Sequence, residues 1–207
     1  LRALKGVRSA AANFASASAS VVYDESVVSA GEVEQAVRDC GKAGIPYAIV
    51  LTAGFREGGP EGRKLEDELL RAARESGVRV IGPNCQGALS VPSRMWCVFG
   101  SVSQETQLRE GPVSCAFQSG GFGYAVVNMA EAQGLGFRHV VSTGNETDIT
   151  MPELLSEFLD DPGTKLAFAY MEGTPNARSL LDLGRKSLET GKPVFIWKLA
   201  PNSKPDA

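Results

Sequence analysis

What most constrains this chain is an alternation that occurs twice along it: short unbroken apolar runs, each followed by a stretch with helical periodicity. From Glu32 to Ala43 the apolar residues Val33, Ala36, Val37 and Cys40 fall on one helical stripe, and Gly44 supplies a stop. A short apolar run at Ala48–Thr52 follows. Leu65, Leu69, Ala72 and Ala73 then mark a second helix ending at Gly77, before another strand at Val78–Ile81. The pattern restarts with a strand over 112–117, a helix over 121–133 with Phe122, Ala125, Val126, Met129 and Ala130 on one face, and a strand over 137–143. Thr150-x-x-Glu153 reads as a capping box for a helix whose Leu154, Leu155, Phe158 and Leu159 face the core. A strand over 166–171, a helix over 177–190 closed by Gly191, and a strand over 194–198 complete the series. Unbroken apolar strands between helices need cover on both faces, which is the condition of a parallel sheet. The expected class is therefore α/β, with two consecutive parallel-sheet domains: half of a Rossmann-like sheet over 20–81, then a flavodoxin-like run of at least four parallel strands.

The 207 residues suffice for two such domains, and 43% apolar with 22% charged residues is the balance of an ordinary globular protein. Residues 91–110 hold a proline, scattered polar residues and no period. The expected division is a lead-in at 1–20, a first domain over 21–95, a connection over 96–110 and a second domain over 111–207. The first residue is Leu1 rather than Met, which points to a fragment, a processed product or a trimmed chain. Its Ala/Ser-rich start lacks the apolar core of a secretory signal. No apolar run nears the roughly 20 residues that span a bilayer. A formal net charge of -3 offers no field for a nucleic-acid backbone. Cys40, Cys85, Cys97 and Cys115 form no CxxC pair, so no metal site is expected and the reduced thiols fit a cytoplasmic location.

Parallel sheets present their ligand sites in the loops leaving the carboxyl ends of strands. Here those loops read Ala53-Gly54-Phe55, Gly82-Pro83-Asn84-Cys85, Gln118-Ser119-Gly120-Gly121, Gly144-Asn145-Glu146-Thr147-Asp148 and Glu172-Gly173. The turn from Gln118 to Gly121 joins a strand to a helix start. It can be a phosphate cradle of free N–H groups, or a turn capped by Ser119. Gly82–Cys85 by itself reads as a rigid structural turn, and Cys85 as a buried thiol rather than a nucleophile. His139 is the only histidine and lies within a strand, so it is expected to be structural, and no GxSxG elbow accompanies it. Glu172 is either a solvated loop carboxylate or a group that orients an imidazole or hydroxyl.

Taken in order and spacing, Leu51-Thr-Ala-Gly-Phe55, Gly82-Pro-Asn-Cys85, Gln118-Ser-Gly-Gly-Phe-Gly123, Ser142-Thr-Gly-Asn145 and Tyr170-Met-Glu-Gly173 resemble the NDP-forming acyl-CoA synthetases. That superfamily includes succinyl-CoA ligase and the ADP-forming acetyl-CoA synthetases. The resemblance covers about residues 25–200 and implies a partial Rossmann-like CoA-binding domain followed by a succinyl-CoA-ligase-like flavodoxin domain. It further implies a relay in which an acyl phosphate forms, acyl passes to CoA, and the phosphoryl group rests on a histidine before reaching a nucleoside diphosphate. By residue match, Gly82, Pro83, Asn84 and Cys85 with Ser119, Gly120 and Gly121 would bind phosphate. Glu172 would hydrogen-bond the phosphohistidine ring, and Gly144 and Asn145 would line the acyl site. CoA, phosphate and a small carboxylic acid are the implied ligands, an oligomer is implied, and ATP/ADP with Mg would bind at an ATP-grasp domain or subunit outside this chain.

The sequence departs from the family pattern in places. No Gly-rich nucleotide turn is recognisable upstream of residue 25, Phe117 stands where relatives usually have serine, and the Ser-His-Thr-Gly stretch expected after Val194–Lys198 is missing. The phosphohistidine must then come from outside this chain. The principal expectation is a fragment or subunit of an acyl-CoA synthetase. The alternatives are a non-catalytic CoA- or acyl-CoA-sensing module, as in acetyltransferase fusions, and an interaction scaffold.

Overall fold

A computed structural model describes residues 7–13, 18–23, 30–100, 108–174 and 176–199. The chain forms two compact units. Residues up to Gly87, with Cys97–Phe99 and Thr143–Thr150, make the first; Ala88–Trp96, Gly100–Ser142 and the residues from Met151 onward make the second. No helix among the described residues is long and apolar enough to cross a membrane.

The first sheet has the order β1-β2-β3-β4, with β1 at Val7–Asn13, β2 at Ser18–Tyr23, β3 at Tyr47–Ile49 and β4 at Arg79–Ile81. β2, β3 and β4 run parallel, as the alternation requires, but β1 pairs antiparallel with β2. Part of the stretch expected as an unassigned lead-in is thus a sheet strand. Its Ala/Ser sequence has no apolar alternation to announce it, and a hairpin partner decides its conformation. Residues 14–17 and 24–29, where a nucleotide turn would be sought, lie outside the described residues. Helices α1 (Ala30–Lys42) and α2 (Pro60–Ser76) bury Val33, Val37, Leu69 and Ala73 against Val50, Phe55, Val78 and Val80, so the stripes read from sequence are the ones used. Pro60 opens α2 and Gly77, left-handed at φ 69°, closes it.

The second sheet has the order β10-β9-β7-β8-β5-β6. Its parallel part comprises β7 (Glu110–Phe117), β8 (Phe137–Ser142), β9 (Leu166–Met171) and β10 (Val194–Lys198). These are the four parallel strands expected. Of the remaining strands, β6 at Met95–Val98 falls in the stretch read as irregular, whereas β5 at Gly87–Ser90 lies just before it, in residues assigned to the first domain, and pairs antiparallel with β8. The segment 96–110 is therefore not simply a connection, although 101–107 lie outside the described residues. Helices α3 (Gly120–Ala132), α4 (Met151–Asp160) and α5 (Ala177–Thr190) link the parallel strands.

Helix α3 corrects one expectation. The stripe of Phe122, Ala125, Val126, Met129 and Ala130 is not the core face: Met129 is 71% exposed, whereas Gly123, Tyr124 and Val127 are buried. The helix is apolar nearly all round, so periodicity cannot choose a face, and the neighbouring strand chooses it. Phe117 at the end of β7 is fully buried, edge-on to Phe168 at 5.8 Å between ring centres. A Cβ at position 123 would lie 2.3 Å from the Phe117 ring. Only glycine lets α3 close on that ring.

At the amino ends of the same strands a polar network takes up the lone histidine. His139 Nδ1 lies 3.0 Å from Ser90 Oγ and its Nε2 2.9 Å from Asp161 Oδ2, and the ring stacks on Phe158. Arg138 donates to both oxygens of Asp161, Nη2 reaching Oδ1 at 3.1 Å, and the Gly163 N–H adds a bond at 3.1 Å. A Ser–His–Asp line is therefore present, but Ser90 is buried and Asp161 is held by an arginine fork, the arrangement of a structural network. Burial pushes the Asp161 carboxyl up, yet the hydrogen bonds from Arg138, Gly163 and His139 outweigh it and hold the group well below the usual aspartate range.

Two outcomes follow for stability. Gly123→Ala should lower the unfolding free energy by about 1–3 kcal/mol through overpacking, and Phe117→Ala by about 3–5 kcal/mol through the cavity it leaves. The new methyl would occupy that cavity, so the double variant should lose less than the sum in denaturant unfolding; strict additivity would show that the two positions share no space. Because Asp161 is depressed in the fold, its stabilisation is complete above the unfolded aspartate value near about pH 4 and is lost as pH falls below it. Asp161→Asn should therefore unfold more easily at neutral pH and show a flatter acid limb, and an unchanged slope below pH ~4 would contradict this.

Candidate functional site

In the first unit the Gly82–Cys85 turn and the loop after β8 are built as one piece. Asn84 N–H donates to Thr52 O at 2.7 Å, Asn145 N–H to Pro83 O at 2.9 Å, and Thr147 N–H to Gly82 O at 3.1 Å. Gly144 sits at φ 59°, and a Cβ there would come within 2.2 Å of Pro83 O, so the loop can lie against the turn only with glycine at that position. Asn84 is exposed and left-handed at φ 56°, a conformation asparagine tolerates better than most side chains. Farther along the loop, Asp148 Oδ2 accepts from Val80 N–H at 2.8 Å and from Arg79 Nε at 2.9 Å.

The side chains around this junction form a polar cluster. Glu66 of α2 is 6% exposed, and its carboxylate accepts from Thr147 Oγ1 at 2.6 Å, Asn145 Nδ2 at 2.8 Å and Arg56 N–H at 3.0 Å. The Arg56 guanidinium lies 3.6 Å from the same carboxylate and also donates to Asn145 O. Asn145 Nδ2 makes a second bond to Glu57 Oε2 at 2.6 Å, and Asn84 Nδ2 donates to Asn145 Oδ1 at 3.2 Å. Burial pushes the Glu57 carboxyl up, but the bonds from Asn145 and from the Glu57, Gly54 and Phe55 N–H groups prevail and hold it below its ordinary value. The structure thus brings Gly82, Pro83 and Asn84 together with Gly144 and Asn145. Cys85 is different. It is buried, its Sγ lies 3.4 Å from Val50 O, and burial pushes the thiol up to about 12, which makes it a core residue rather than a nucleophile.

In the second unit, Ser119 occupies the N-cap position of α3, but its side chain makes no capping hydrogen bond. Gly120 and Gly121 follow without side chains to obstruct the first-turn N–H groups, and the positive end of the helix dipole faces the same way. Glu172 leaves the carboxyl end of β9 exposed to solvent. Its position is fixed through the backbone. Gln118 Oε1 accepts from the Glu172 N–H at 2.5 Å and the Gly173 N–H at 3.0 Å, while Gln118 Nε2 donates to Gly173 O at 2.7 Å. Lys198 Nζ donates to Glu172 O at 2.8 Å. Gln118 adjoins Ser119 in sequence, so one residue ties the glycine turn to the glutamate. Beside them Phe122, Tyr170 and Trp197 form an aromatic trio, with Phe122 and Tyr170 ring centres 4.3 Å apart.

Sequence reasoning did not single out Arg56, Glu57, Glu66 or Lys198, and it placed Gln118 and Thr147 in strand-end loops without giving either a role. Glu66 alone carried a signal: it stands beside Leu65 on the apolar side of α2, where an unpartnered carboxylate is costly.

The comparisons with known proteins come down on one side. Residues 110–206 match the succinyl-CoA ligase-like flavodoxin domain. Over 172 residues the chain is 34% identical to the ADP-forming acetate–CoA ligase I subunit alpha of Pyrococcus furiosus, covering 83% of this chain and 36% of that one. It is 37% identical over 172 residues to the ADP-forming acetate–CoA ligase I of Archaeoglobus fulgidus, covering 24% of it. Among solved structures, the dinucleotide-forming acetyl-coenzyme A synthetase 1 of Ca. Korarchaeum cryptofilum, in complex with phosphate and ADP, superposes with a TM-score of 0.74 at 36% identity. That match covers 83% of this chain and 36% of that one. The chain spans about a third or less of the length of these relatives, and it belongs to the NDP-forming acyl-CoA synthetase superfamily.

Proposed function

We infer that this chain is a fragment or subunit of an acid–thiol ligase that, in its full form, joins a small carboxylic acid to CoA with cleavage of a nucleoside triphosphate to the diphosphate and phosphate. The observation that carries this reading is the second unit's pairing of an uncapped glycine turn at a helix start with a glutamate tied to it through Gln118. Ser119, Gly120 and Gly121 hold a phosphoryl group with N–H donors and the Ser119 hydroxyl, which no capping bond engages. Glu172 accepts from the N–H of a phosphohistidine ring that residues outside this chain supply, fixing the ring's orientation. In the first unit, Gly82, Pro83, Asn84 and Cys85 form the other phosphate-binding turn, with Cys85 acting only through its backbone, and Gly144 and Asn145 line the acyl site. ATP or ADP, with Mg, binds at an ATP-grasp domain or partner subunit, and the active form is an oligomer in the cytoplasm. The relatives named above are ligases, and no observation favours the CoA-sensing alternative.

Two measurements test this. In the full natural protein, single-turnover reaction with labelled ATP, CoA and a panel of short acids should give an acid-labile protein label that Glu172→Gln reduces at least about tenfold. An undiminished label would remove Glu172 from the relay, and no label with any acid in the unaltered protein would remove the ligase reading. Ser119→Ala should weaken phosphate binding by calorimetry about three- to tenfold, one hydrogen bond's worth. The same variant should change stability by less than about 0.5 kcal/mol, since a capping serine would cost about 1 kcal/mol. The reverse pattern, lost stability with unchanged phosphate affinity, would make Ser119 a cap and nothing more.

A further inference from the structure

The cluster around Asn145 determines which way its amide faces. Nδ2 donates to Glu57 Oε2 at 2.6 Å and to Glu66 Oε2 at 2.8 Å, so both of its protons are engaged. The two partners are carboxylates, which accept and cannot donate when ionised. Turning the amide over would press Oδ1 against two carboxylate oxygens. Glu66 also accepts from Thr147 Oγ1 and the Arg56 N–H and lies 3.6 Å from the Arg56 guanidinium, so its oxygens serve as acceptors throughout the cluster. The nitrogen side of Asn145 is therefore closed, and its oxygen is the only part of the amide left for a ligand. Oδ1 accepts one bond from the exposed Asn84 at 3.2 Å and keeps a second acceptor position.

An acceptor selects for a donor. Among the reactants, an ionised carboxylic acid and an acyl phosphate offer only acceptor oxygens around the reacting carbon, and they would be repelled by Oδ1. CoA carries donors at its reacting end: the thiol S–H and the amide N–H groups of its arm. We propose that Glu57 and Glu66 are positioning residues that turn the Asn145 oxygen outward, so that within the acyl site Asn145 receives an N–H or S–H of the CoA arm rather than the carboxylate of the acid. The inference rests on the acyl-CoA synthetase reading and assigns one side chain of that site to one of its substrates.

Kinetics of the full natural protein, calorimetry with CoA and desulfo-CoA, and nitrogen-15 spectra of the Asn145 side-chain amide test it together. Asn145→Ala and Glu66→Gln should raise KM for CoA about three- to tenfold while leaving KM for the acid within about twofold. Glu66→Asp, which keeps both carboxylate oxygens, should recover part of the loss. A defect that disappears when CoA and desulfo-CoA are compared identifies the thiol as the donor, and one that persists identifies an arm N–H; either supports the assignment. A rise in KM for the acid instead of CoA overturns it, even if the enzyme is an active ligase. The Asn145 amide protons should exchange slowly and shift on Glu66→Gln, and free, fast-exchanging protons would overturn the orientation whatever the activity. If the unaltered protein binds CoA and loses that affinity in Asn145→Ala but makes no acyl-CoA from any acid, the ligase reading fails and the orientation stands. Absence of any CoA binding overturns both.

Discussion

The second sheet depends on the parallel pairing of β7 with strands on both sides. β7 runs between β8 and β9, and from Val113 to Phe117 it is fully buried. A strand in that position has no edge to solvent, must be covered on both faces, and can be followed only by a crossover that returns the chain to the same end of the sheet. The helices α3, α4 and α5 are those crossovers, and each begins beyond the carboxyl end of a strand. Gln118, Ser119 and Glu172 therefore share one rim because of strand direction, before any particular side chain is considered.

In the first unit the organising element is a charge. A carboxylate with 6% exposure is unfavourable unless it is met by donors, and Glu66 is met by a backbone N–H, a guanidinium, a hydroxyl and an amide. Those partners come from the turn before α2 and from the loop after β8, segments far apart in sequence. One buried group thus determines the arrangement of several others, including the amide that faces a ligand.

Much of the fold was legible in the sequence, and the failures have physical causes. The stripes of α1 and α2 and the apolar strands 112–117, 137–143 and 166–171 were readable because burial on both faces leaves a period or an unbroken run. The face of α3 was not, since an all-round apolar helix takes its orientation from the ring of Phe117 against Gly123. β1 lies in an Ala/Ser stretch without alternation, β5 lies just before what looked like a linker and β6 within it, so strand pairing rather than local pattern defines them. At the site, glycine-bearing loops could be listed from strand ends alone. The roles of Glu57, Glu66 and Gln118 could not, because they arise from partners tens of residues away.

The manner in which position 172 is held has a consequence for engineering. Gln118 and Lys198 grip the backbone on either side of that residue and make no use of its carboxylate. The location and the functional group are thereby separable, and a different side chain installed there would inherit the same rim of the sheet without rebuilding the loop. Position 172 is in this respect a socket, suited to carrying a reporter nucleus, a photo-crosslinker or an unnatural acid whose proton affinity can be chosen at will.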